Sequence, residues 1–254
     1  MNILDQIVAS TRERIARDKV STFTPTSKTP LQPFAFEQAL RDDDMRFICE
    51  VKRASPSKGM IARDFPYVQI AQEYEAAGAA AISVLTEPEY FKGSDTYLQE
   101  IRAAVRTPLL RKDFIIDAFQ IEQAAMLGTD AVLLICAILH ETQLREFIKQ
   151  ADNLGLSCLV EAHDENELRT GLRAGARVIG VNNRNLKTFN VDLHNSIRLR
   201  ALAPPEVIFV AESGIATAQD VQLLRENHIH AALIGETLMR AADKKKALGE
   251  LRES

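Results

Sequence analysis

Residues 117–162 read DAFQIEQAAMLGTDAVLLICAILHETQLREFIKQADNLGLSCLVEA, and this stretch contains the repeating unit that decides the fold. An amphipathic segment over 117–127 ends in Leu127-Gly128, with the glycine suited to a left-handed helix cap. A β-prone apolar run, 131–136, follows; a second amphipathic segment covers 141–153 and a second run 156–161. Strands alternating strictly with helices demand parallel pairing and right-handed crossovers.

The same rhythm extends in both directions. Further β-prone runs fall at 46–52, 81–85, 108–112, 177–182, 207–211 and 231–235, with amphipathic stretches at 67–77, 165–174 and 217–227. Gly78 and Gly175 follow helical stretches as Gly128 does. Roughly eight units in a chain of 254 residues predict a single (β/α)₈ TIM barrel, a fold of about 250 residues. An open doubly wound sheet explains the alternation but less readily the unit count. Ahead of the body (46–254) stands an extension (1–45): an amphipathic helix over 3–18, a Thr/Ser/Pro-rich segment over 21–33 and a short helical stretch over 34–41.

Composition narrows the function classes. The chain carries 31 basic and 35 acidic residues, net −4, so no basic field points to nucleic acid or an anionic membrane. Recognition of phosphate has to be local. The longest uninterrupted apolar run, Ala131–Leu139, is far shorter than the ~20 residues of a membrane helix, and the start lacks the pattern of a secretory signal. Cys49, Cys136 and Cys158 each sit in an apolar run and form no C-x-x-C pair; buried thiols and a cytoplasmic location are expected.

The chemistry stands at the strand ends. Side chains at i and i+2 share a strand face, so Ile48, Glu50 and Lys52 point one way. Leu110 likewise pairs with Lys112, Leu159 with Glu161, Gly180 with Asn182 and Val210 with Glu212. A single charge ending a strand is ordinarily a solvated rim residue. Five strands repeating the pattern are harder to dismiss, because parallel strands buried on both faces normally read as continuous apolar runs. In a barrel such residues converge on the carboxyl-terminal mouth, where mutual perturbation makes acids and bases of them. Glu212-Ser213-Gly214-Ile215 after the seventh strand and Gly235-Glu236-Thr237 after the eighth offer backbone N–H groups to a phosphate, and Ser55 adds a hydroxyl from the first loop. His228 and His230 lack companion ligands, so no metal is expected. His163, just past Glu161, is a candidate for the mouth, with a helix-capping or solvent role favoured. Dinucleotide and P-loop signatures and a Ser–His–Asp order are missing from the sequence.

At these residues the chain resembles indole-3-glycerol-phosphate synthases. The resemblance is carried by Ile48–Gly59 (ICEVKRASPSKG), Ala81–Glu87, Leu110–Phe114 (LRKDF), Leu159–His163 (LVEAH), Ile179–Leu186 (IGVNNRNL) and Ala211–Ile215 (AESGI), and covers nearly the whole chain. It implies conversion of 1-(2-carboxyphenylamino)-1-deoxyribulose 5-phosphate to indole-3-glycerol phosphate, carbon dioxide and water, without metal or cofactor. By resemblance Lys112 is the general acid, helped by a carboxylate such as Glu50. Lys52 holds the substrate carboxylate, Glu161 serves dehydration, Asn182 bonds a substrate hydroxyl and Glu212 completes the carboxylate set. Arg184 lies near the substrate carboxylate or fixes Asn182, and Phe114 stacks on the aromatic ring. Ser55, Ser213, Gly214, Gly235 and the backbone around Glu236 hold the phosphate. A monofunctional monomer with no obligate partner is expected. The competing readings are another phosphate-binding barrel, such as an Amadori-type isomerase, and a barrel that binds a phosphorylated ligand without catalysis.

Overall fold

The computed structural model describes residues 3–20, 32–42, 44–185 and 189–253. Eight parallel strands close a barrel: β1 (Arg46–Val51), β2 (Ala81–Leu85), β3 (Leu109–Lys112), β4 (Ala131–Ile135), β5 (Ser157–Ala162), β6 (Val178–Asn182), β7 (Ile208–Glu212) and β8 (Ala231–Ile234). Each strand pairs with its sequence neighbours, and β1 pairs with β8 to complete the ring. The strand limits lie within one residue of those expected, and closure excludes the open-sheet alternative.

Around the ring stand α3 (Tyr67–Ala76), α4 (Asp95–Ala104), α5 (Ala118–Met126), α6 (Glu141–Asn153), α7 (Glu165–Ala174), α8 (His194–Arg200), α9 (Ala218–Glu226), α10 (Glu236–Arg240) and α11 (Lys244–Arg252), preceded by α1 (Ile3–Asp18) and α2 (Ala35–Leu40). Side-chain caps explain many of the helix starts: Ser94 accepts from Thr96 N–H at 3.1 Å, Asp164 from Glu167 N–H at 2.9 Å, and Thr217 forms a capping box with Asp220. Periodicity alone missed α4, α8 and α11, although Ser94 and Asp243 are readable start signals. The prelude's expected segment over 21–31 lies outside the described residues, as does Leu186.

The barrel interior is filled by the predicted inward set. Ile48, Leu110, Leu159 and Val210, all fully buried, form one apolar cluster with Ala131, Leu133, Val178 and Leu233. Two further members come from the extension: Phe36 and Leu40 of α2 close the amino-terminal end. There Arg177 binds both Glu37 (2.8 Å) and Asp152 (2.7 Å). α1 lies at the opposite end, where Arg14 binds Asp113 at 2.7 Å and Lys19 binds Asp117 at 2.8 Å. The extension thus stoppers one end of the barrel and walls the other. Leu159→Ala, which empties a fully buried place directly beneath Glu161, is expected to lower the unfolding free energy in urea by about 2–5 kcal/mol.

Candidate active site at the barrel mouth

Because side chains alternate along a strand, the residue two places beyond each interior apolar group emerges at the carboxyl-terminal mouth. Glu50, Lys112, Glu161, Asn182 and Glu212, with Lys52 just past β1, line one cavity of ≈ 720 Å³. Lys112 Nζ stands 2.9 Å from Glu161 Oε2 and 2.9 Å from Glu212 Oε2. Lys52 donates to Glu50 Oε1. Glu50 supports the Lys112 ammonium as expected, but from further away; the direct partners of Lys112 are Glu161 and Glu212. Asn182 Nδ2 donates to Glu161 Oε1 at 3.3 Å, and Asn182 Oδ1 accepts from Ser213 Oγ (2.9 Å) and Arg184 N–H (3.0 Å). Arg184 thus fixes Asn182 through its backbone; its guanidinium donates to Phe189 O at 3.3 Å.

Close approach explains two glycines. A Cβ on Gly180 would occupy the position of Glu212 Oε1, so the missing side chain lets that carboxylate reach Lys112. A Cβ on Gly235 would meet Glu50 Oε1 and Lys52 Nζ.

Burial disfavours every charge here, and the cluster resolves the conflict unequally. Burial alone lowers the Lys112 pKa, but Glu161, Glu212 and Glu50 together hold it above its ordinary value, so the ammonium is kept. Glu161 is also opposed by burial, yet Lys112, His163 and the hydrogen bond from Asn182 hold it below the usual carboxylate range. Glu212 goes the other way: burial, reinforced by Glu161 and Glu50, outweighs Lys112 and pushes its carboxyl up. Glu212 is thus the carboxyl of the cluster that takes up a proton most readily.

The predicted anion loops line the same cavity, with Ser55, Ser213, Gly214, Gly235 and Glu236 all present. Ser213 (φ 66°) and Gly214 (φ 84°) are consecutive left-handed residues, a turn that favours an anion-binding nest. Thr237 Oγ1 donates to Ile215 O at 3.0 Å and ties the two loops together. The α10 helix behind Gly235 has only five residues, so its dipole is a weaker anion attractor than expected. Lys58 and Arg240 supply nearby positive charge, both held on the Glu236 carboxylate at 3.4 and 3.0 Å.

On the other side Phe114 faces the cavity beside Phe91, with ring centroids 6.0 Å apart. Sequence reasoning missed Phe91. Its loop is set by the buried Glu87 carboxylate, which accepts from the N–H groups of Glu89, Tyr90 and Phe91 at 2.7–2.9 Å. Ile3, Leu4 and Ile7 of α1 complete the apolar wall. Of the two readings of His163, the less favoured one holds: the ring packs beside Glu161 near the mouth, while Asp164 makes the cap.

The indole-3-glycerol phosphate synthase family profile matches residues 4–251. The chain belongs to the indole-3-glycerol phosphate synthase family. It is 57% identical to the indole-3-glycerol phosphate synthase of Ruminiclostridium cellulolyticum, with 99% of each chain covered. To the enzyme of that name from Endomicrobium trichonymphae it is 52% identical, over 99% of this chain and all of the other. Among solved structures, 3-hexulose-6-phosphate synthase from Salmonella typhimurium superposes with a TM-score of 0.68 over 82% of this chain and 97% of the other, at 14% identity. That likeness concerns the barrel alone.

Family membership makes the chain a carboxy-lyase of tryptophan biosynthesis, and the unequal carboxylates at the mouth have a testable signature. The folded-state pKa of Glu212 is raised above the unfolded value of about 4.3, so its contribution to stability is full below that value and fades as pH rises through the folded pKa. In urea titrations the parent's stability relative to Glu212→Gln is therefore expected to decline between about pH 5 and 8. A relative stability that rises over this window contradicts the assignment.

Proposed function

We propose that the cavity at the barrel mouth closes the indole ring of 1-(2-carboxyphenylamino)-1-deoxyribulose 5-phosphate, releasing carbon dioxide and water. The observation that carries this reading is an ammonium held between two carboxylates in a cavity also lined by the Ser213–Gly214 and Gly235–Glu236 loops. Proton transfer and phosphate anchoring are the two needs of this reaction, and residues suited to each line one pocket.

In the proposed reaction the nest of Ser213 and Gly214, with Gly235, Ser55 and the backbone at Glu236, holds the phosphate. Phe114 and Phe91 stack on the anthranilate ring. Lys52 holds the substrate carboxylate. The ring carbon attacks the ketone, and Lys112 donates a proton to its oxygen. An alkoxide is a stronger base than any amine, so even an ammonium stabilised by two carboxylates gives up its proton to it. Lys112 therefore stays charged until the carbon–carbon bond forms. Loss of carbon dioxide restores aromaticity. Glu161, ionised and held by Asn182, then removes the proton from the carbon next to the ring-closing one, while a recharged Lys112 gives the hydroxyl the second proton with which it departs as water.

The positive charge for these steps comes from two lysines, and the proposal calls for no metal. All the proposed groups come from one chain, so the site operates in a monomer. The three buried free thiols suit a reducing cytoplasm, and no described helix is long and apolar enough to cross a membrane.

Purified protein given the carboxyphenylamino-deoxyribulose phosphate in the presence of chelator is expected to develop indole fluorescence; folded protein that gives none contradicts the proposal. Lys112→Ala is expected to lower turnover by at least ~10²-fold with phosphate affinity little changed. Collapse of affinity with turnover preserved would make Lys112 a binding residue.

A further inference from the structure

Decarboxylative ring closure consumes a proton. The substrate carboxylate leaves as neutral carbon dioxide, while the ketone oxygen takes up two protons before it departs as water. One of these is recovered from the substrate carbon by Glu161. The other has to come from solvent at every turnover, and it has to reach Lys112 and Glu161, whose side chains are only 12% and 5% exposed beneath the substrate position.

A continuous line of ionisable atoms leads away from that pair. Lys112 Nζ lies 2.9 Å from Glu161 Oε2. The other oxygen of the same carboxylate, Oε1, lies 3.4 Å from His163 Nε2. His163 Nδ1 lies 3.0 Å from Glu167 Oε2, on a side chain 23% exposed at the start of α7. His163 Nε2 is buried and makes no hydrogen bond of its own in the resting arrangement, so it faces Glu161 uncommitted. The backbone that carries the ring is held on both sides: His163 N–H donates to Glu167 Oε2 at 2.9 Å, and His163 O accepts from Asn195 Nδ2 of α8 at 3.0 Å.

We infer that His163 is a proton-relay residue that recharges the Lys112–Glu161 pair from solvent by way of Glu167. The inference rests on the proposed roles of Lys112 and Glu161. The imidazolium Nε2–H bond breaks and the proton passes to Glu161 Oε1. A half-turn of that carboxyl about its soft terminal torsion presents the proton to Lys112 Nζ and restores the ammonium. His163 regains a proton at Nδ1 from the Glu167 carboxyl or from water at the rim, and charge is conserved throughout. The charged groups facing the ring are Glu161 on its own strand, Glu167 on α7 and Glu212 on β7; burial opposes the imidazolium, but these carboxylates outweigh it and raise its pKa. His163 touches no substrate atom and acts through Glu161.

The test is chemical rescue of the full chain in a buffer without imidazole. His163→Ala is expected to lower kcat about tenfold, less than the ~10²–10⁴-fold supplied by groups that meet substrate, with KM within about twofold of the parent. Added imidazole should restore kcat in proportion to its concentration, while the parent stays insensitive. A kcat equal to the parent's, or a loss that imidazole does not relieve, overturns the relay. If His163→Ala does not fold, Glu167→Gln serves instead: its kcat is expected to rise with the concentration of a small buffer acid at constant KM, and independence of buffer overturns the relay. Glu161→Gln separates the two levels. Its turnover at the parent rate removes the reading of Glu161 as base and the relay with it. An inactive Glu161→Gln beside an unimpaired His163→Ala removes the relay alone.

Discussion

A lysine ammonium taken out of water at the floor of a barrel mouth is tolerable only if opposite charge meets it there. Lys112 has two carboxylates at hydrogen-bonding distance, from β5 and β7, strands that flank β6. Removing either carboxylate leaves a poorly compensated charge, and removing the lysine leaves two carboxylates repelling one another. Much of the surroundings serves that one arrangement. Gly180 has no side chain because the Glu212 carboxylate fills the space, and Asn182 fixes the remaining oxygen of Glu161 while Ser213 and Arg184 fix Asn182.

The residues either side of Lys112 anchor it to the frame. Arg111, only 1% exposed, donates to Asp95, Thr86, Gln123 and the carbonyl of Gln120. Asp113 is equally buried, accepts from Thr86 at 2.6 Å and binds Arg14 of α1. Burial raises the pKa of Asp113, but the two guanidinium groups outweigh it and keep the carboxylate ionised. A buried, doubly paired ion cluster on the outer side of β3 thus holds the strand whose inner side presents Lys112. It also docks the helix that walls the cavity with Ile3, Leu4 and Ile7. The ion cluster thus ties the frame of the barrel to the proposed site at this end, whereas at the far end Phe36 and Leu40 close the core and Glu37 binds Arg177.

Two periodicities made most of this legible in the sequence. The two-residue strand repeat puts Lys112 above Leu110, Glu161 above Leu159 and Glu212 above Val210, and that inference holds to the residue. Pairings across the barrel were less accessible. A period tells which face a side chain takes but not which of three glutamates it meets, so the direct bonds of Lys112 to Glu161 and Glu212 and of Lys52 to Glu50 were not readable from it. His163 follows its strand by one residue, outside the alternation, and only the turn into α7 brings the ring beside Glu161. Phe91 sits in a loop whose shape depends on the buried Glu87 carboxylate, a long-range fact that no local pattern announces. The α4 helix was missed because its polar first turn hides its period, even though Ser94 marks its start. The roles attached to the rim residues came from family resemblance, since spacing gives position and not the order of proton transfers.

The central claim is that Lys112, and not Lys52, delivers the proton to the ketone oxygen. It is tested most directly by a crystal structure with a substrate analogue whose ketone is reduced to an alcohol, which binds but cannot cyclise. The account predicts Lys112 Nζ within hydrogen-bonding reach of that hydroxyl, about 2.7–3.2 Å, with Lys52 on the analogue's carboxylate. Lys52 on the hydroxyl, with Lys112 still enclosed between Glu161 and Glu212, would contradict it.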